Sequence, residues 1–146
     1  MARASRLFLS SLISLWTVAA LAAGAPFSTI EQGSVSGITS PTALVIKSEE
    51  EWRDLWARHA AVRAPTPGPP QIGFLREMVI AVFAGERSTG GFTVEVTAID
   101  VSSGTIRVTY RESGPPPDSI LTQALTQPYH LVTTPRVEGP VTFTAR

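Results

Sequence analysis

The chain has 146 residues, enough for one domain of ordinary size. Lys+Arg 12 balances Asp+Glu 12, which removes the positive field that nucleic-acid binding needs. There is no cysteine and only two histidines, His59 and His130, so disulfides, thiolate nucleophiles, Cys-ligated zinc, iron–sulfur clusters and a His-rich metal site are excluded, and no cofactor is expected.

Met1 to about Ala25 has the three parts of a secretory signal. Arg3 and Arg6 give a positive start, Leu7 to Ala23 is apolar apart from Ser and Thr, and the end is a run of small residues. Ser10, Ser11, Ser14 and Thr17 dilute the apolar stretch, which argues for cleavage over a transmembrane anchor. The expected product is exported, to the periplasm or beyond the cell, and carries no membrane anchor. Losing Arg3 and Arg6 from the balance of charges leaves it at net −2.

Residues 26–40 read as an N-terminal strand segment broken by Gly33 and Gly37, and Ala43 to Lys47 as a second strand. A helix follows. Ser48 with Glu51 three residues on is a capping box, and Glu49, Glu50 and Glu51 sit where the helix dipole favours negative charge. Trp52, Leu55, Trp56 and His59 recur at three- and four-residue spacing and form one apolar face, until Pro65 ends the element. Pro65 to Pro70 is a stiff surface loop.

Met78 to Ala84 is continuously apolar, as a strand buried on both faces should be. Phe92, Val94, Val96 and Ala98 alternate with Thr93, Glu95 and Thr97; Ile99 and Val101 then carry the apolar phase one residue late. That slip predicts a β-bulge near Ala98. Ile106, Val108 and Tyr110 form the next alternating strand after the turn at Ser102-Ser103-Gly104. Ser113 to Asp118 is a rigid turn, Ser119 to Gln127 is ambiguous, and Tyr129–Thr134 and Val141–Ala145 are two final strands. The expected class is α+β, mainly β: an antiparallel sheet or partial barrel with one amphipathic helix packed on it.

Chemistry is scarce in this pattern. Gly33-Ser34-Val35-Ser36-Gly37 has Val35 where a nucleophile elbow needs serine. A Ser–His–Asp set could be drawn from His130 with Asp100 or Asp118, but no spacing favours it. Glu86, Glu95, Glu112 and Glu138 fall in turns or on a polar strand face, and no metal-ligand or phosphate-cradling motif occurs. The chain is therefore expected not to be an enzyme. Two clusters stand out instead. Arg87, Ser88, Thr89, Gly90, Gly91 and Phe92 join the two clearest strands, and Pro128, Tyr129 and His130 open a later one. Glycines that allow close approach, with Arg and Tyr as hot-spot residue types, suggest a partner-binding set if the two clusters lie at one rim.

Gly85-x-x-x-Thr89-Gly90-Gly91-Phe92-x-Val94-x-Val96, then Pro115-Pro116-Pro117 and Thr126-x-Pro128-Tyr129-His130-x-Val132, resembles the PrcB C-terminal domain family. Glu51-Trp52-x-x-Leu55-Trp56 and the Met78–Phe83 strand fit the same pattern, so the resemblance covers residues 41–146. It implies an accessory subunit of a bacterial surface protease complex, which binds or stabilises a secreted or surface protease without catalysing anything. The family's namesake is a lipoprotein, a property that this chain, lacking cysteine, does not share. The alternative is a secreted peptidase inhibitor, since Arg87 to Phe92 is faintly similar to the binding loop of chagasin-like inhibitors.

Overall fold

Glu77–Phe83 is the strand around which the rest is arranged. In the computed structural model, which describes residues 23–146, its side chains are buried on both faces. Val79, Ala81 and Phe83 enter one core; Met78, Ile80 and Val82 enter another. A strand buried on both faces has to lie between two layers, and this explains its unbroken apolar run. The expected signal segment lies almost wholly outside the described residues.

The elements in chain order are β1 (Ala23–Gly24), β2 (Ser28–Gly33), β3 (Thr42–Ile46), α1 (Glu49–Ala60), β4 (Glu77–Phe83), β5 (Thr93–Ser102), β6 (Thr105–Ser113), β7 (Tyr129–Pro135) and β8 (Val141–Ala145). The class is α+β and mainly β. The strands divide into two four-stranded sheets, ordered β2-β7-β4-β3 and β1-β5-β6-β8, with no closed barrel. All pairs are antiparallel except β6 with β8, which run parallel. Residues 26–40 are not set apart from the rest, because β2 is hydrogen-bonded along β7.

Helix α1 covers the outer face of the first sheet. Ser48 is its N-cap and its hydroxyl accepts from Glu51 N, while Glu51 Oε2 reaches back to Lys47 N at 3.1 Å. Trp52, Leu55, Trp56 and His59 are all buried, as their spacing predicts. The helix ends at Ala60, five residues before Pro65. The proline loop has a task its sequence did not announce. Its Pro67 and Pro70 carbonyls accept from the indole nitrogens of Trp56 and Trp52 at 2.8 and 2.9 Å, satisfying two buried donors.

The β5 bulge falls where the apolar phase slips, with the register shifting between Val96 and Ala98. Val94 and Val96 before it, and Ile99 after it, therefore all face the core between the sheets. Ser103 and Gly104, both at positive φ, close the β5–β6 hairpin with the twist that a two-residue turn requires.

Candidate partner-binding rim

Strand directions collect the interesting loops at one end. β2, β4 and β6 finish there, and β3, β5 and β7 begin there. The rim is thus built from residues 34–41, 84–92 and 114–128, and the C-terminus of α1 arrives beside it, with Gly37 N donating to His59 O at 2.9 Å.

The 85–92 loop is joined here to the segment that precedes Pro128. Arg87 and Thr126 form an isolated antiparallel bridge, and Gly90 N donates to Thr122 O. Thr126 Oγ1 donates to Thr89 O at 2.7 Å. Gln127 N donates to Ser34 O, and the Gln127 side chain bonds Ser36 N and Glu86. Gly91, at φ +89°, packs so close to Pro115 that a β-carbon would lie 2.7 Å from its Cβ. Arg87 stacks over Phe92 at 5.8 Å and pairs with Glu112 at 3.0 Å. The 85–92 loop is therefore a laced part of the rim and does not project as a free inhibitory loop would.

Ser88 and Gly91 are exposed, and Arg87, Thr89, Gly90 and Phe92 are half-buried. Pro128, Tyr129 and His130 are buried, so these three cannot make direct partner contacts. The sequence expectation of a docking role for them is corrected here. The reason is the position of β7 between β2 and β4, which turns successive side chains into one core or the other.

His130 serves as an inter-sheet latch. Its Nδ1 accepts from Val96 N at 2.8 Å across the sandwich, which makes Nε2 the protonated nitrogen, and that N–H donates to Thr29 Oγ1 at 2.9 Å. Burial lowers its pKa, against the opposing charge of Glu95. Beneath the rim lies a second polar network. Ser36 Oγ accepts from Ile38 N and shares a hydrogen bond with His59 Nδ1 at 2.9 Å. His59 Nε2 lies 2.9 Å from Glu31 Oε2, and Arg63 grips the same carboxylate with both guanidinium nitrogens at 2.8 and 3.0 Å. Arg63 also donates to the Tyr129 hydroxyl, whose ring stands edge-on to His59 with centroids 4.4 Å apart.

Burial pushes the Glu31 carboxyl up, but hydrogen bonds from Arg63 and His59 outweigh it and the net direction is down. Burial lowers His59 against the pull of Glu31, and burial raises the Tyr129 phenol. Both histidines thus fold as neutral imidazoles with pKa below the ordinary 6.5. The unfolded chain then binds more protons than the folded one below that pH, so their contribution is intact above it and declines as pH falls through it. Urea unfolding at pH 7.5 and 5.5 should show a lower midpoint at pH 5.5; equal midpoints would contradict neutral buried histidines.

Sequence reasoning missed this network because its members come from β2, the following loop, α1, the segment just after α1, and β7. The periodicity of α1 gave the burial of His59 but not its partners. What sequence reasoning also left unused are the apolar side chains of the rim. Among the described residues, the exposed large hydrophobics are Val35, Val62, Leu75, Ile120 and Leu125. Four of them lie at this end: Val35 beside Gln127, Val62 just past α1, and Ile120 and Leu125 on the 114–128 loop. Ile120 is fully exposed and Leu125 is 63% exposed. Dispersed exposed apolar residues are ordinary; here four of the five lie on segments that meet at one end.

Residues 78–135 match the family model described as PrcB C-terminal. That segment is similar to PrcB C-terminal regions. It runs from β4 through β7, so it contains the doubly buried strand, the bulged strand, the 85–92 loop and the 114–128 loop. The PrcB C-terminal match is narrower than the resemblance read from the sequence, which extended over α1 and β8. No curated protein and no solved structure matches the chain.

Proposed function

We propose that the chain is an exported, non-catalytic protein-binding domain that serves as an accessory or stabilising component of a secreted or surface protease complex. The observation that carries this reading is the PrcB C-terminal match, whose segment supplies most of the rim. The apolar residues Ile120 and Leu125 support it, since both lie inside that segment. Shape and apolar contact are the means of binding, because the rim cation Arg87 is already paired with Glu112 and Arg63 with Glu31.

The non-catalytic part is supported by how the Ser36–His59–Glu31 array is built. It has the make-up of a hydrolytic triad, yet Ser36 is 1% exposed and its oxygen already accepts from Ile38 N, so no substrate carbonyl can approach. Export rests on the signal-like segment, and mass spectrometry of secreted material should find a first residue between Ala23 and Pro26; an intact Met1 in the exported pool would contradict it.

Leu125→Asp and Ile120→Asp test the binding surface. Each should cut co-purification of the partner at least tenfold, equivalent to about 1.4 kcal/mol, with melting within about 0.5 kcal/mol of wild type, as for other exposed sites. Undiminished capture by both variants would remove the rim from the interface.

A further inference from the structure

The first sheet ends at β2 on one side and at β3 on the other, and the two edges are built differently. β2 is blunted. Its register slips between Thr29 and Glu31, and Glu31 turns a carboxylate inward to His59 and Arg63. Bulges and inward charges of this kind keep an edge from pairing with another chain. β3 has neither. Its five residues, Thr42–Ile46, pair with β4 in unbroken register and include no charged residue, proline or glycine. Every second residue turns its N–H and C=O away from β4, and among the described residues no strand lies beyond. Ala43 is exposed, and Leu44 and Val45 are only half-buried although each packs against a core.

Helix α1 runs back beside β3, from the far end toward the rim. A groove of about 260 Å³ lies between them, with Leu44 and Val45 on one wall and Glu51, Asp54 and Arg58 on the other. The acids sit toward the start of the helix and the cation toward its end. Asp54 and Arg58 are exposed, and among the described residues neither has an ion-pair partner. A face with acid at one end and base at the other complements itself when rotated by a half-turn.

We infer that this face binds a second copy of the chain. β3 pairs antiparallel with its counterpart about Leu44, which joins two four-stranded sheets into one continuous sheet. The two-fold axis then sets the Arg58 end of each helix opposite the Glu51 and Asp54 end of the other. Self-complementary charge is what selects a second copy as the occupant, since an unrelated strand needs only the bare edge. Both rims stay open, at opposite ends of the dimer, so the inference goes beyond the binding role proposed above and does not depend on it.

Light scattering of the exported chain across a dilution series should show a dimer that dissociates to a monomer. Hydrogen exchange on the same series should show amides within Thr42–Ile46 slowing as the dimer forms. Arg58→Asp and Asp54→Arg should each raise the dimer dissociation constant at least tenfold, because like charges then face each other. The double exchange should recover most of that loss, which a mere disturbance of the helix would not do. A chain that stays monomeric throughout would overturn the proposal. So would a dimer that leaves the β3 amides exchanging as in the monomer, which decides the matter even should a charge variant fail to fold. A dimer abolished by Leu125→Asp but indifferent to both charge changes would overturn it too, by placing the contact at the rim.

Discussion

Trp52→Ala should lower the free energy of unfolding by about 3–5 kcal/mol, the range for truncating a large core aromatic. Trp52 is fully buried between α1 and the first sheet, with Trp56 at 5.4 Å between ring centroids. Its loss opens a cavity over Val79 and Ala81 and also frees the Pro70 carbonyl that the indole satisfies. Trp52→Phe should separate these contributions, since it keeps most of the apolar volume and gives up a hydrogen bond of about 1 kcal/mol. Denaturant unfolding measures both, and a near-neutral Trp52→Ala would take α1 out of the core.

Tyr129→Ala should be nearly as damaging, at about 3 kcal/mol or more by the same reasoning. The ring is 4% exposed, packs against His59 and Phe83, and presents its hydroxyl to Arg63. Tyr129→Phe should cost only about 1 kcal/mol, the hydroxyl's bond. Partner capture should fall in Tyr129→Ala no further than the unfolded fraction accounts for, whereas Leu125→Asp should lose capture while melting normally. A Tyr129→Ala protein that melts like wild type and fails to bind would return Tyr129 to the interface.

The contrast between these residues shows what a sequence discloses. The helix, its cap and its buried face follow from local spacing, and so does the doubly buried β4. The bulge near Ala98 was legible because a one-residue slip in alternation has one physical meaning in a strand with a buried face. The division into two sheets was not. It depends on β2 leaving β1's sheet after Phe27, and on β8 lying parallel to β6, and neither choice leaves a trace in periodicity. Tyr129 illustrates the limit within a single residue. Its type and its position after Pro128 suit an exposed hot spot, yet β7 lies inside its sheet, which decides that the ring points inward. The rim residues erred in the other direction: Ile120 and Leu125 fall in an aperiodic stretch, where apolar side chains carry no signal of which way they face.

The central claim is that the rim, and no catalytic centre, is what this domain presents to other proteins. It is tested most directly by site-specific photocrosslinking in the cell that makes it. A benzophenone side chain placed at position 125 on the rim should give a discrete crosslinked species. The same group at position 107, an exposed position of strand β6 near the opposite end, should give none. Crosslinking from position 107 alone, or from neither position, would contradict the account.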